Sequence, residues 1–302
     1  MRLGTRASAL ALAQAKLVAD LLGGCGVVPL VTSGDRAQSG GNANGTAEDK
    51  SRWVRELEEA LATGAIDVAV HSAKDLPGEQ PGGLSLVGAP ARARPEDVLC
   101  GAAGLDGLPA GARIGTSSIR RAAQLRAARA DLRVVAMRGN VDTRLDKLAR
   151  GEFDAIVLAG AGLERLGRTE AVGEVLDPAR FVPAPGQGTL ALQARAEDPP
   201  VHAAIARITD RPAFDALLSE RALAAALGAG CDTPLGAYAA PCEGGVRMRA
   251  WVGLPDGSAW IGDELHGDGS DPEALGREVA GRLRLAGADE LLSAAREMAV
   301  EG

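Results

Sequence analysis

The chain has 302 residues, of which 46% are hydrophobic and 24% charged, the composition of an ordinary folded protein of roughly two or three domains. That excludes a disordered tail, a collagen-like repeat and a disulfide-rich miniprotein. Aromatics are only 2%, so the cores must be built from Ala, Val, Leu and Ile, and a net charge of −7 argues against nucleic acid as a bulk partner.

A short strand ending in Gly4-Thr5-Arg6-Ala7-Ser8 opens the chain and leads into a helix at 7–22. Arg2 followed by ASALALAQA imitates a signal peptide, but the stripe Leu10, Gln14, Leu17, Val18, Leu21, Leu22 runs straight through the supposed cleavage point. The stretch is therefore read as a folded helix, and no apolar run is long enough to span a bilayer. A strand at 27–32 follows, then a Gly-, Asn- and Ser-rich stretch from Gly34 to Ser51, whose length is that of a mobile lid or a disordered segment. A helix at 51–63 and the apolar strand IDVAVHS at 66–72 close the first unit.

Residues 113–160 repeat the plan: RIGTSSIRR, a helix at 118–128, the strand LRVVAMRGN, a helix at 141–150 and the strand FDAIVLAG. Even the junctions agree, TGAIDVAV at 63–70 against RGEFDAIV at 150–157. Short Val/Ile/Ala strands alternating with helices predict parallel sheets covered on both faces. The stretch Ala89–Glu96 reads as a crossover between two α/β lobes and 181–195 as the return. Beyond them lie a helix at 212–227, strands near 237–240, 246–252 and 259–265, and helices at 272–287 and 289–299, a small α+β domain. The expected division is residues 1–90 plus 189–207, residues 95–183, and residues 211–302.

The chemistry starts with misplaced arginines. Helix N-termini favour anions, yet Arg6, Arg120, Arg121 and Arg144 fall in first turns, and Arg138 ends the strand before one of them. In open parallel sheets such turns gather at one edge, where ligands bind. Five guanidinium groups there would repel one another unless a polyanion sat among them; taken singly, each could equally be an arginine in solvent. Only four of the 33 basic residues are lysine, which draws attention to Lys74. His71-Ser72-Ala73-Lys74-Asp75 follows a buried strand and places Lys74 and Asp75 at the same rim, either as a surface pair or as an acid suited to stabilise a developing cation. Cys231, in LGAGCDTPLG, is a candidate nucleophile or attachment point, set against the commoner structural role of a lone cysteine. The four cysteines form no CxxC pair, and with three histidines they assemble no metal spacing; a reducing cytoplasm and no metal are expected.

The motifs GTRAS, HSAKDLP, GTSSIRR, RGNVDTRL, AGLERLG, PAPGQG and LGAGCDTPLG, in this order over nearly the whole chain, resemble the porphobilinogen deaminase (hydroxymethylbilane synthase) family. The resemblance implies an α/β fold of two periplasmic-binding-protein-like lobes with a cleft between them, plus a small α+β C-terminal domain. It implies a cytoplasmic, monomeric transferase of tetrapyrrole biosynthesis that joins four porphobilinogen molecules head to tail, with release of ammonia, giving hydroxymethylbilane. A dipyrromethane cofactor would be held by a thioether to Cys231, with no metal, membrane or nucleic acid involved. By motif match Asp75 is the catalytic acid; Lys74, Ser72, Thr116, Ser118, Arg120, Arg121 and Gln187 hold the cofactor; and Arg6, Ser8, Arg138, Arg144 and Arg165 hold substrate. Loss of ammonia from porphobilinogen leaves an electron-poor azafulvene that the growing chain attacks, and each pyrrole adds two carboxylates, which accounts for many arginines. One departure is Glu48-Asp49-Lys50-Ser51-Arg52-Trp53, where the family has a glycine-rich run before an aromatic. Lys50 and Trp53 would stand for the lysine and aromatic of the lid.

Two rivals remain on the residues. A two-lobed solute-binding protein for anions shares lobes and cleft but needs neither a third domain nor Cys231. A phosphate-handling transferase would also use helix starts and arginines, yet the chain has no GxxxxGK[ST] loop.

Overall fold

A computed structural model describes the backbone of residues 1–32, 48–230 and 233–301, and their side chains except at 48–53 and 299–301. In chain order, the first lobe holds β1 (Arg2–Arg6), α1 (Ala9–Leu21), β2 (Gly26–Leu30), α2 (Glu48–Ala62), β3 (Val68–Ser72) and β4 (Leu84–Gly88). Residues 89–96 cross to the second lobe, with β5 (Asp97–Cys100), β6 (Arg113–Gly115), α3 (Ile119–Ala128), β7 (Arg133–Val135), α4 (Val141–Ala149), β8 (Ala155–Ala159), α5 (Gly160–Arg165) and β9 (Val172–Val175). The chain then returns to add β10 (Leu190–Arg195) and α6 (Pro199–Ala206) to the first lobe. The C-terminal domain consists of α7 (Arg211–Ala226), β11 (Leu235–Cys242), β12 (Gly245–Gly253), β13 (Trp260–Gly267), α8 (Pro272–Leu285) and α9 (Ala288–Glu301).

The two lobes share one topology. Their strand orders are β2-β1-β3-β10-β4 and β7-β6-β8-β5-β9. The sheets are mixed, which corrects the expectation of parallel ones. β1, β2 and β3 run parallel, as do β6, β7 and β8, but β10 is antiparallel to β3 and β4, and β5 is antiparallel to β8 and β9. Each odd strand is the one that arrives from the other lobe, so it enters its sheet without a crossover helix and runs the opposite way. Local pattern missed β4, β5 and β9, which are four or five residues long. It also overran β7, which ends at Val135 where Ala136–Asn140 turn toward α4. The stretch expected to be loop to Ser51 is already helical from Glu48; residues 33–47 of that stretch lie outside the described residues.

Helices α1, α3 and α4 each start with a side-chain cap. Ser8 Oγ accepts from Ala11 N at the start of α1, Ser118 Oγ from Arg121 N at α3, and Asn140 Oδ1 from Thr143 N at α4. The C-terminal sheet β11-β12-β13 is antiparallel, and its core packs Leu223, Leu227, Met248, Val252, Val279 and Leu283 between sheet and helices. Among the described residues no helix is long and apolar enough to cross a membrane.

Where the crossovers run side by side, Ala93 N donates to Gly188 O at 3.2 Å. Gly188 has φ +87°, and a Cβ there would stand 2.4 Å from Ala93 O. Gly151 has a similar φ, +72°, but open space around it. Left-handed backbone alone costs a side chain about 1–3 kcal/mol. Gly188→Ala is therefore expected to lower the urea midpoint clearly more than Gly151→Ala; equal losses would show that the crossovers do not constrain each other.

Candidate active site in the interlobe cleft

The first link from fold to chemistry is a buried charge cluster. Asp97, the opening residue of β5 and 1% exposed, receives Arg120 Nη1 at 2.7 Å, Arg121 Nε at 2.9 Å and Gln187 Nε2 at 2.8 Å. Arg120 also donates to Val182 O at 2.8 Å and Arg121 to Val157 O at 3.1 Å, while Gln187 Nε2 donates to Pro95 O at 2.6 Å. Both arginines are sunk into the protein, at 3% and 7% exposure. Burial alone would raise the Asp97 carboxyl, but the two guanidinium groups and the hydrogen bonds hold it well below the usual carboxylate range. The inference of five mutually repelling arginines is corrected here, because Asp97 neutralises two of them from within the protein. No local sequence signal marks Asp97, since its partners lie 23 and more residues away.

In front of this cluster lies a cleft of about 350 Å³. Its walls bring together Lys74 and Asp75 from the 3₁₀ turn after β3, Ser117 and Ser118 at the start of α3, Arg120, Arg121, Arg144, Gln187 and, from α7, Arg221. A second cavity of about 110 Å³ continues between the lobes, lined by Ser72, Lys74, Arg121, Arg144 and Arg165 among others. A third, about 30 Å³, lies beside Asp75 and holds Arg6, Gln14, His71 and Ser72.

Four cations at these walls have no carboxylate partner among the described residues. Arg144 donates to Gly139 O at 2.7 Å and to Ser117 Oγ at 3.0 Å; Arg165 to Gly188 O at 2.6 Å; Arg221 to Pro77 O at 2.7 Å and Gly78 O at 2.9 Å. Lys74 makes no hydrogen bond or ion pair there. Burial, reinforced by Arg121, brings Lys74 down to about 8 and Arg144 to about 10, and burial likewise brings Arg165 to about 10. Arg165 Nε is buried without any hydrogen-bond partner. Cations stripped of water and set beside other cations favour a ligand bearing several carboxylates. Asp75 is the complement: its carboxylate is neither hydrogen-bonded nor ion-paired among the described residues, and it lines both the cleft and the smallest cavity.

Other expected site residues sit differently. Ser72 Oγ is engaged by Gln14, with Gln14 Nε2 donating at 2.8 Å. Thr116 is buried and its Oγ1 accepts from Ser118 N at 3.2 Å, so it braces the helix start and lines none of these cavities. Ser8 caps α1 and is not among the residues lining them, and Arg138 is exposed outside their walls. Cys231 lies outside the described residues, but Ala229, Gly230 and Thr233 on either side of it line the cleft. The side chains of Lys50 and Trp53 also lie outside the described residues. Arg221 was not anticipated, because nothing in SERALAAALG distinguishes it from a surface arginine.

The set fits a dipyrromethane: several unpaired cations for its carboxylates, an unpaired carboxylate for its ring N–H groups, and the flanks of a cysteine on the wall. A family profile described as "Porphobilinogen deaminase, dipyromethane cofactor binding domain" matches residues 1–203, and "Porphobilinogen deaminase, C-terminal domain" matches 214–284. The porphobilinogen deaminase of Deinococcus radiodurans is 44% identical over 97% of this chain and 98% of that relative. That of Roseiflexus sp. RS-1 is 45% identical over 96% and 98%. Among solved structures, a periplasmic substrate-binding protein from Coxiella burnetii is 16% identical and covers 73% of this chain and 94% of its own, with a TM-score of 0.40.

Removing one partner from a buried ion cluster costs about 3–5 kcal/mol. Asp97→Asn is expected to lose stability on that scale in urea denaturation. Because the Asp97 carboxyl is depressed in the folded state, its contribution is present above the ordinary value of 3.8 and is lost as pH falls below it. The stability gap between the native and Asp97→Asn proteins should therefore shrink as pH falls below that value; a constant gap would contradict the cluster's charge.

Proposed function

This chain belongs to the porphobilinogen deaminase family, and we propose that the cleft described above is where it works, with the residues in the following roles. The enzyme is a transferase: it condenses four porphobilinogen molecules head to tail into linear hydroxymethylbilane, releasing ammonia, on a covalently bound dipyrromethane. When bound, the dipyrromethane supplies the nucleophilic pyrrole carbon to which the first substrate is joined. Cys231 carries it, since the chain on both sides of that residue lines the cleft. Lys74, Arg144 and Arg221 take carboxylates in the main cleft, and Arg165 does so in the cavity behind. Each charge-assisted contact contributes about 1.5–3 kcal/mol.

Asp75 acts on the reacting ring. Positive charge develops on a pyrrole nitrogen of the substrate as ammonia leaves, and a fixed carboxylate with no other partner is worth most there. The unpaired state of Asp75 in a cleft walled by cations is the observation that carries this assignment. Gln14 holds Ser72 two residues before Lys74, and Leu76-Pro77 ends the turn, so the carboxylate is presented from a rigid element. The enzyme acts in the cytoplasm as a monomer, and Cys25, Cys100 and Cys242 are free thiols, as a reducing compartment allows. The reaction requires neither metal nor nucleic acid. The solute-binding alternative has only the two lobes in its favour and leaves Asp75 and Cys231 without a purpose.

Intact mass of the expressed protein should exceed the sequence mass by two pyrrole units, and Cys231→Ser should lack the increment. An unmodified and fully active native chain would overturn the attachment. Asp75→Asn should keep the mass increment and the unfolding midpoint yet lose most turnover, about a hundred-fold or more for one preorganised charge. Near-native turnover of that variant would return Asp75 to a structural role.

A further inference from the structure

On the other side of the crossovers lies an open cavity of about 710 Å³ that the reaction does not use. The wall between it and the cleft is thin. Arg92 lines the cavity and donates from Nε to Gln187 O at 2.9 Å and from Nη1 to Glu220 Oε1 at 2.7 Å, while Gln187 lines the cleft. Three parts of the molecule contribute: crossover residues 91–96, Glu164 of α5, and residues 210–216 and 238–241 of the C-terminal domain and its approach.

Most of the polar lining is already satisfied. Arg92 is held by Glu220 and lies over the Tyr238 ring at 5.1 Å, Arg94 pairs with Glu164 at 2.9 Å, and Asp210 Oδ1 caps α7 through Ala213 N at 2.9 Å. Two groups are left over. Glu96 has no hydrogen-bond or ion-pair partner among the described residues, and its Oε2 is buried. The half-buried Tyr238 phenol makes no hydrogen bond there either. Around them the surface is apolar and small, from Pro95, Pro212, Ala213, Ala216, Ala240 and Pro241. A carboxylate that lines a cavity and has no partner gains from an incoming cation with N–H donors. Flat apolar walls beside an aromatic ring suit an aromatic body, and the volume is that of a small-molecule site.

We infer that this cavity is a second ligand site, taking a small aromatic molecule with a protonated amine or amidine, its cation on Glu96 and its ring against Tyr238, Pro95 and Pro241. Its charge preference is opposite to that of the cleft, where unpaired arginines and Lys74 repel cations. An occupant would bridge one crossover to the C-terminal domain that carries Cys231.

Benzamidine is a suitable probe, titrated calorimetrically into the native holoenzyme, with benzyl alcohol as the uncharged control. The expected result is one saturable benzamidine site, weak or absent for benzyl alcohol, and weakened about ten-fold or more in Glu96→Gln. Pro241→Trp, which fills the cavity from an exposed strand position, should abolish binding while leaving turnover unchanged. Absence of saturable binding in the native protein, or equal affinity in the native, Glu96→Gln and Pro241→Trp proteins, would overturn the site.

Discussion

A buried carboxylate with two guanidinium partners organises this molecule. Asp97 enters the second lobe directly from a crossover, and Arg120 and Arg121 reach it from the first turn of α3. Gln187, on the return crossover, closes the group from the other side. Such clusters contribute little net stability, because desolvation offsets attraction, but breaking one is costly. Their effect is to fix geometry. Here the cluster joins both crossovers to the helix whose start forms one wall of the cleft. It also divides the arginines: Arg120 and Arg121 are committed inside, and Lys74, Arg144, Arg165 and Arg221 are left for ligand.

The C-terminal domain is set against these crossovers by a second buried pair. Glu220 of α7 is fully buried and accepts from Arg92, from Gly186 N at 2.6 Å and from Ala239 N at 2.7 Å. One carboxylate thus binds the first crossover, the second crossover and β11. Arg221, the next residue, points to the other side and holds Pro77 O and Gly78 O behind the Asp75 turn. Two adjacent residues of one helix therefore place the third domain against both the crossovers and the turn that carries Asp75. The flanks of Cys231 reach the cleft because of that placement. His71 sits beneath the same turn; burial pushes it down to about 4, so it stays neutral at physiological pH and adds no cation beside Asp75.

What the sequence made legible follows from what is local. The lobes' repeat, the capped helix starts and the cluster of basic side chains near them could be read from spacing, and the motif order carried the family and its reaction. Sheet direction could not, because β5 and β10 take their orientation from crossing between lobes, which is a property of topology and not of VLC or LALQAR. The same limit hid Asp97 and Glu220. An isolated acid looks like a solvated surface residue until chain contacts from far away surround it. Arg138 and Arg144 looked alike in RGNVDTR, but one lies on an exposed bend and the other turns inward onto Ser117 and Gly139 O. Gly188, within PAPGQG, gains its meaning from the crossover packed against it.

The division of charge is tested most directly by a crystal structure of the enzyme carrying its pyrrole chain. Pyrrole carboxylates are expected on Lys74, Arg144 and Arg165, ring N–H groups on Asp75, and Asp97 still paired with Arg120 and Arg121. Asp75 turned away from every ring nitrogen, or Asp97 separated from its arginines to admit the ligand, would contradict it.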